Sequence, residues 1–398
     1  MSTKKCRVCG STHLQPLIDF GLRPITKRLL TVSADFSTEY VFPIILDICE
    51  HCGFVQISHT IPDEELYTEY KLPSSWKPQP HVHAEINHIQ QYLNEKDNQH
   101  FIIEIGCNDG MFLSELSQAK FDHLLGIEPS RDVAGLAQSR GFNVINVLFS
   151  DSVAQEVVEQ YGQADCLVSR QVLEHVSALD SFMQGVGRLL KEDGLLMLEV
   201  PDFDVPLRYG DVSAIWEEHV NYFTESSLKH LLSQYQFEVF HVERYDFSGG
   251  ALCIFARKNP NMPVIYHNEY EKNCLFKQNV DAFVTFIKTM IEQEKAIGKK
   301  VALYGAGNRA VILLNYFLKQ FISVVIDDQP EKQGYYLPQN HLPIVSSMIL
   351  KEDKNISLCL LAVNSENDHK VMQLHSEFLA HGGQFQSVLS PSIGSFFK

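Results

Sequence analysis

The chain has 398 residues, 45% of them hydrophobic, and a formal net charge of −16. This length provides for two or three domains with cores of their own, and the acidic balance repels phosphate backbones, which argues against a nucleic-acid partner. No apolar run reaches the ~18 residues of a spanning helix, and the start, Met1-Ser-Thr-Lys-Lys5, lacks the apolar stretch of a secretory signal. A cytoplasmic protein with no membrane partner is expected.

Residues 1–60 form the first block. Nine cysteines in so long a chain do not make a disulfide scaffold, but four are ordered as Cys6-x-x-Cys9 and Cys49-x-x-Cys52, each pair followed by a glycine. Two such knuckles offer four thiolates to a tetrahedral zinc ion. Redox chemistry is the competing reading, and the four-ligand set favours structural zinc. The long interval between the pairs predicts small strands of its own. Cys107, Cys166, Cys253, Cys274 and Cys359 sit in apolar contexts and read as buried small residues. A helical and loop segment, 61–98, follows, broken by Pro73, Pro78 and Pro80.

The apolar run Phe101-Ile-Ile103 then leads into Glu104-Ile-Gly106-Cys-Asn108-Asp109-Gly110. This reads as a buried strand ending in a glycine turn, where the backbone can approach a nucleoside. A second strand, Leu124 to Ile127, delivers Glu128 eighteen residues beyond Gly110, the place where a doubly wound fold sets an acid for ribose hydroxyls. The turn is GxxxG and lacks the GxGxxG of a pyrophosphate cradle, so adenosine without a pyrophosphate fits, pointing to S-adenosylmethionine. Glu104, Gly106, Asn108, Asp109, Gly110 and Glu128 are the candidate cofactor residues, with Gln171 after the strand Ala164–Val168. Leu189 to Gly194 reads as a helix end and turn before the strand Leu195–Val200, stopped by Pro201. The runs 237–245 and 251–257 flank Ser248-Gly249-Gly250 as a hairpin. A parallel α/β sheet closed by an antiparallel hairpin is the class I methyltransferase layout, here within 61–258.

Pro260 and Pro263 mark a boundary. Residues 259–298 form a helical connector with Val280, Phe283, Phe286, Ile287, Met290 and Ile291 on one face. Residues 299–398 begin again with a strand and the turn Gly305-Ala-Gly307-Asn308-Arg309-Ala310, and Asp327 lies twenty residues beyond Gly307. That pattern matches a dinucleotide fingerprint, so a nicotinamide cofactor must be considered. About four strands fit before Lys398, half of a dinucleotide fold. A half fold suits one nucleotide diphosphate at the helix N-terminus, with Arg309 adding charge, and a nucleotide-sugar site is the preferred reading.

On Cys6-x-x-Cys9, Cys49-x-x-Cys52-Gly53-Phe-Val-Gln56, the Glu104–Gly110 turn, Glu218-His219 with Tyr222-Phe223, Gly249-Gly250, the Tyr304 turn and Lys332-Gln-Gly-Tyr-Tyr-Leu-Pro338, the chain resembles the sugar C-methyltransferases that act on nucleotide-linked 4-ketosugars. The resemblance implies an α/β architecture: a zinc domain, a Rossmann-like class I methyltransferase core and a C-terminal Rossmann-like domain. It implies methyl transfer from S-adenosylmethionine to the carbon beside the ketone of a deoxysugar nucleotide through an enolate, with structural zinc. His219 is then the general base, Glu218 its orienting or stabilising partner, and Tyr70 a holder of the enolate oxygen. Tyr222, Gly249, Gly250, Asn308, Arg309 and Lys332 are placed at the sugar nucleotide. The chain departs from the family in having one tyrosine fewer in Tyr70-Lys-Leu-Pro-Ser-Ser75, Trp216-Glu217 before the Glu-His pair, Ala251-Leu-Cys253 after the glycines, and Asn308-Arg309-Ala310 in the last turn. O-methylation of a sugar or related metabolite, and a nucleotide-binding protein without catalysis, remain as alternatives.

Overall fold

The computed structural model describes residues 4–31, 36–62, 66, 79–93 and 99–392. The expected small strands between the cysteine pairs are β1 (Leu14–Pro24) and β2 (Val41–Cys49), joined by β3 (Val55–Ile57). They pair antiparallel in the order β1-β2-β3, and the sheet takes a fourth member, β9 (Asn221–Tyr222), from far along the chain.

The central sheet has seven strands. β4 (Phe101–Ile105), β5 (His123–Ile127), β6 (Asn143–Ile145), β7 (Ala164–Arg170) and β8 (Leu190–Pro201) run parallel, and β10 (Phe237–Tyr245) and β11 (Ala251–Lys258) close one side as an antiparallel hairpin. The order is β10-β11-β8-β7-β4-β5-β6. Every residue of β4 is buried, as expected of a central strand covered on both faces. The expected turn at 191–194 is absorbed into β8. The register passes from Ala164↔Leu190 to Cys166↔Leu195, and residues 191–193 stand exposed in the extra length, with Lys191 paired to Asp165 at 2.7 Å. Helices α1 (Val82–Leu93), α2 (Met111–Gln118), α3 (Arg131–Ser139), α4 (Asp151–Tyr161) and α5 (Leu179–Leu189) flank this sheet.

The last sheet is wholly parallel, β14 (Ile344–Val345), β13 (Val324–Ile326), β12 (Lys300–Tyr304), β15 (Ile356–Leu361) and β16 (Gln384–Ser387) in that order. This is one strand more than expected, because a two-residue strand such as β14 leaves no periodic signal.

The long helix Tyr270–Ala296 is more than a connector. Phe276, Val280, Phe283, Ile287 and Ile291 recur at three- and four-residue spacing and are fully buried in one core with Leu46 and Ile48 of β2 and Val301, Leu303 and Leu358 of the last domain. A second tie is polar. The Arg309 guanidinium bonds Asp211 (2.6 Å), Ser213 Oγ (3.0 Å) and the Ser248 carbonyl, while Asp211 also accepts from the backbone N–H of Ser390. Among the described residues no helix is long and apolar enough to cross a membrane.

Because one core serves the first and last domains, Phe283→Ala should cost roughly 3–5 kcal/mol. Urea unfolding followed by two probes, one in each domain, should show both midpoints falling together; separate transitions would contradict a shared core.

Candidate active site

Cys6 and Cys9 on one knuckle face Cys49 and Cys52 on the other, with Sγ–Sγ distances of 3.7 Å (Cys6–Cys52) and 3.6 Å (Cys9–Cys49). Thiolates on a tetrahedral zinc with ~2.3 Å arms stand about 3.8 Å apart. All four sulfurs lie within 4.8 Å of one another and none is in a disulfide, so the donor set fits structural zinc.

The knuckle also reaches the far side of the sheet. Arg7, between Cys6 and Cys9, donates to the carbonyls of Ile57 (2.8 Å), Val220 (3.0 Å) and Ser177 (3.2 Å). β3 pairs with β9 as Val55↔Tyr222 and Gln56↔Asn221, and the Ile57 N–H bonds the Val220 carbonyl. Asn221 Nδ2 in turn holds the carbonyls of Leu173 and Val176. The loops carrying Glu174-His175 and Glu218-His219 are thus both anchored on the zinc sheet.

These loops border a cavity of about 1440 Å³. Of the sequence-predicted residues it is lined by Glu104, Gly106, Asn108, Asp109, Glu128, Gln171, Glu218, His219, Gly249, Gly250, Asn308 and Arg309. Gly106 has φ +77°, and a Cβ there would meet Val172 Cγ2 at 2.3 Å, so the turn admits only glycine. Glu128 accepts the N–H groups of Asn108 (3.0 Å) and Ser130 (2.8 Å), which shapes the turn and leaves each oxygen a second lone pair for a hydroxyl. Burial pushes the Glu104 carboxyl up to about 8, and its Oε2 has no protein partner. Acceptors and orphaned acid together fit an adenosine-bearing cationic cofactor. Asp109 pairs with Arg140 at 3.0 Å. Gln171 donates to Glu199 at 2.7 Å, within a buried cluster in which Arg170 pairs with Glu85 and Glu199.

Other expected residues stand elsewhere. Gly110 packs against Ala137 behind the turn, and Tyr222 is buried in β9 with its hydroxyl toward the Trp216 carbonyl, so neither lines the cavity. Lys332 also lies off it. Its ammonium pairs with Asp327 at 3.1 Å, and that carboxylate further accepts the N–H groups of Ala306 and Gln329. One oxygen of the fingerprint acid is thus shared by Lys332 and the glycine turn, while the other holds the Gln329 N–H. Arg309 borders the cavity but spends its donors on the Asp211 hub. Gly249, at φ +99°, is needed because a Cβ would come within 3.0 Å of that guanidinium. Tyr70 lies outside the described residues.

His219 stands beside His175 (ring centres 4.7 Å apart, perpendicular) and Trp216 (4.3 Å). Burial, then His175 and the Arg309 charge, hold its pKa well below the ordinary imidazole value, so it is neutral and basic at pH 7. The expected partnership with Glu218 is not made, because that carboxylate pairs with Lys27 at 2.7 Å. The neighbour is His175, whose Nδ1–H donates to the Glu218 carbonyl at 2.9 Å and whose Nε2 lies 3.8 Å from Glu174. Glu174 is buried with both oxygens unbonded, and burial pushes it up to about 8. Sequence reasoning gave Glu174-His175 no role. The signal available was a second Glu-His pair at the end of a parallel strand.

Family models match the chain in succession: a zinc binding domain over residues 6–67, a methyltransferase domain over 79–242 and a C-methyltransferase C-terminal domain over 264–389. The chain is an S-adenosylmethionine-dependent methyltransferase that carries these three domains in this order. C-methyltransferase NovU of Streptomyces niveus is 27% identical over 96% of this chain and 94% of its own length. A ubiquinone biosynthesis O-methyltransferase of Glaesserella parasuis serovar 5 (strain SH0165) is 30% identical over 27% of this chain and 49% of its own. A SAM-dependent methyltransferase structure from Anabaena variabilis ATCC 29413 covers 46% of this chain and 86% of its own at 15% identity, with a TM-score of 0.37. This methyltransferase therefore has a zinc knuckle that supports its cavity from outside.

Since a displacement of ~1 Å can cost about a hundredfold in rate, Arg7→Ala should lower kcat by ~10–100-fold while leaving S-adenosylmethionine affinity within about twofold by calorimetry. An unchanged kcat would show that Arg7 does not hold the histidine loop.

Proposed function

We propose that this methyltransferase acts on a carbon beside the ketone of a nucleotide-linked deoxy-4-ketosugar, in deoxysugar or glycan biosynthesis. The observation that carries the reading is a neutral His219 in a single cavity lined both by the Glu104–Gly110 turn and by Asn308, Arg309, Asn364 and Lys370 of the last domain. Bound at the turn, S-adenosylmethionine supplies an electrophilic methyl.

His219 would remove the proton on carbon, the C–H electrons moving to the ketone oxygen as an enolate; its carbon would then take the methyl as the S–CH3 bond breaks and the neutral thioether, S-adenosylhomocysteine, leaves. A buried, neutral imidazole on the cavity wall is placed to accept a proton, and positioned proton transfer of this kind is worth ~10²–10⁴-fold. His175, with its proton fixed on Nδ1 by the Glu218 carbonyl, lines the same cavity. Lys370 and the amide side chains of Asn308, Asn364 and Asn367 give the last domain polar donors suited to a diphosphate. Support for a carbon acceptor also comes from the likeness to NovU, named a C-methyltransferase.

His219→Ala should lower kcat by ~10²–10⁴-fold with cofactor affinity retained; a merely binding protein would be unaffected. Since the base must be unprotonated, kcat/KM should fall as pH drops through the lowered pKa of His219, with the acid limb below about 6.5. Labelled cofactor incubated with a panel of nucleotide 4-ketosugars should place the label on carbon, and label found solely on oxygen would overturn the proposal in favour of O-methylation.

A further inference from the structure

Away from the cavity, α1 crosses the hairpin edge of the central sheet and brings three metal-ligating side chains together. His241 and Glu243 alternate onto one face of β10, and His88 of α1 meets them. Nε2 of His241 is 2.9 Å from Oε1 of Glu243, and Nε2 of His88 is 3.6 Å from the same oxygen. The ligand atoms of the trio lie within 4.8 Å of one another, and the two imidazole centres are 4.7 Å apart. All three residues are half-buried, and none lines the catalytic cavity.

We propose that His88, His241 and Glu243 form a second metal site, holding a divalent ion of the zinc type with one position open to water. On a tetrahedral ion with arms of ~2.0–2.1 Å, neighbouring donor atoms stand about 3.3 Å apart and the centres of two imidazoles about 5 Å apart. The observed distances bracket the first value and lie near the second. A simple His241–Glu243 hydrogen bond accounts for the 2.9 Å contact but not for the second Nε2 turned to the same oxygen. Two imidazoles and a carboxylate also make a donor set that borderline ions favour. The rings are already held: Phe255 packs 5.4 Å from His88 and 5.7 Å from His241, with Tyr92 stacked on His88 at 5.7 Å. An ion here would staple α1 to β10. The start of α1 matters to the catalytic site, because Pro80, His81, Val82 and Ala84 line the cavity.

The test is equilibrium dialysis of the full chain against micromolar Zn²⁺, followed by elemental analysis. The wild-type chain should hold two ions, one at the four cysteines and one here, whereas His241→Ala and the conservative Glu243→Gln should each hold one. With Co²⁺ in place of zinc, the thiolate charge-transfer bands should persist in both variants while the weaker visible bands of the second ion are lost. The proposal is overturned if the wild type holds a single ion, or if both variants bind as many ions as the wild type.

Discussion

The chemistry of this protein depends on a two-residue strand pairing. β9 carries no catalytic group, yet its bonds to β3 set where the preceding residue pair, Glu218-His219, can stand. Arg7 reinforces it from inside the cysteine knuckle, and Asn221 passes the constraint to the loop of Glu174 and His175. An imidazole is useful as a base only if its nitrogen is held within hydrogen-bond reach of the proton, and a loop alone would not hold it there. The four-cysteine cluster therefore stiffens the platform under the loop of His219, with no ligand directed at the cavity.

A second constraint joins the acceptor side. The helix Tyr270–Ala296 shares its core with the first and last domains, and Arg309 ties the last domain's glycine turn to Asp211 and, through the Ser248 carbonyl, to the hairpin loop. A buried pair of this kind contributes little net stability but is costly to break, so it acts as a register pin. It also explains the glycine at 249, where the backbone must pass close to the guanidinium, and the nearby charge helps keep His219 neutral.

Much of the fold was legible because it rests on local periodicity. The buried run at 101–105, the hairpin around Gly249 and the 3.6-residue stripe of 276–291 all announce themselves over short windows. The bulge at 191–194 and the strand Ile344–Val345 did not, since one is a register event and the other is too short to be periodic. Among site residues, the cofactor turn was readable because its glycines and acids are contiguous. The roles of Glu218, Tyr222 and Lys332 were misplaced because each is decided by a partner distant in sequence: Lys27, the strand β3 and Asp327.

Sequence by itself determined the domain order, the four clustered cysteines and the glycine turn with its acids, since each is written in residue type and short spacing. Tertiary structure alone decided that His175 rather than Glu218 stands beside His219, that Arg309 serves as an interdomain clamp, and that the last domain's fingerprint acid pairs with Lys332. The physical reason is the range of the interactions. Backbone conformation and thiolate spacing act over a few residues, whereas burial, charge pairing and the pKa of a buried imidazole are set by groups that only folding brings near.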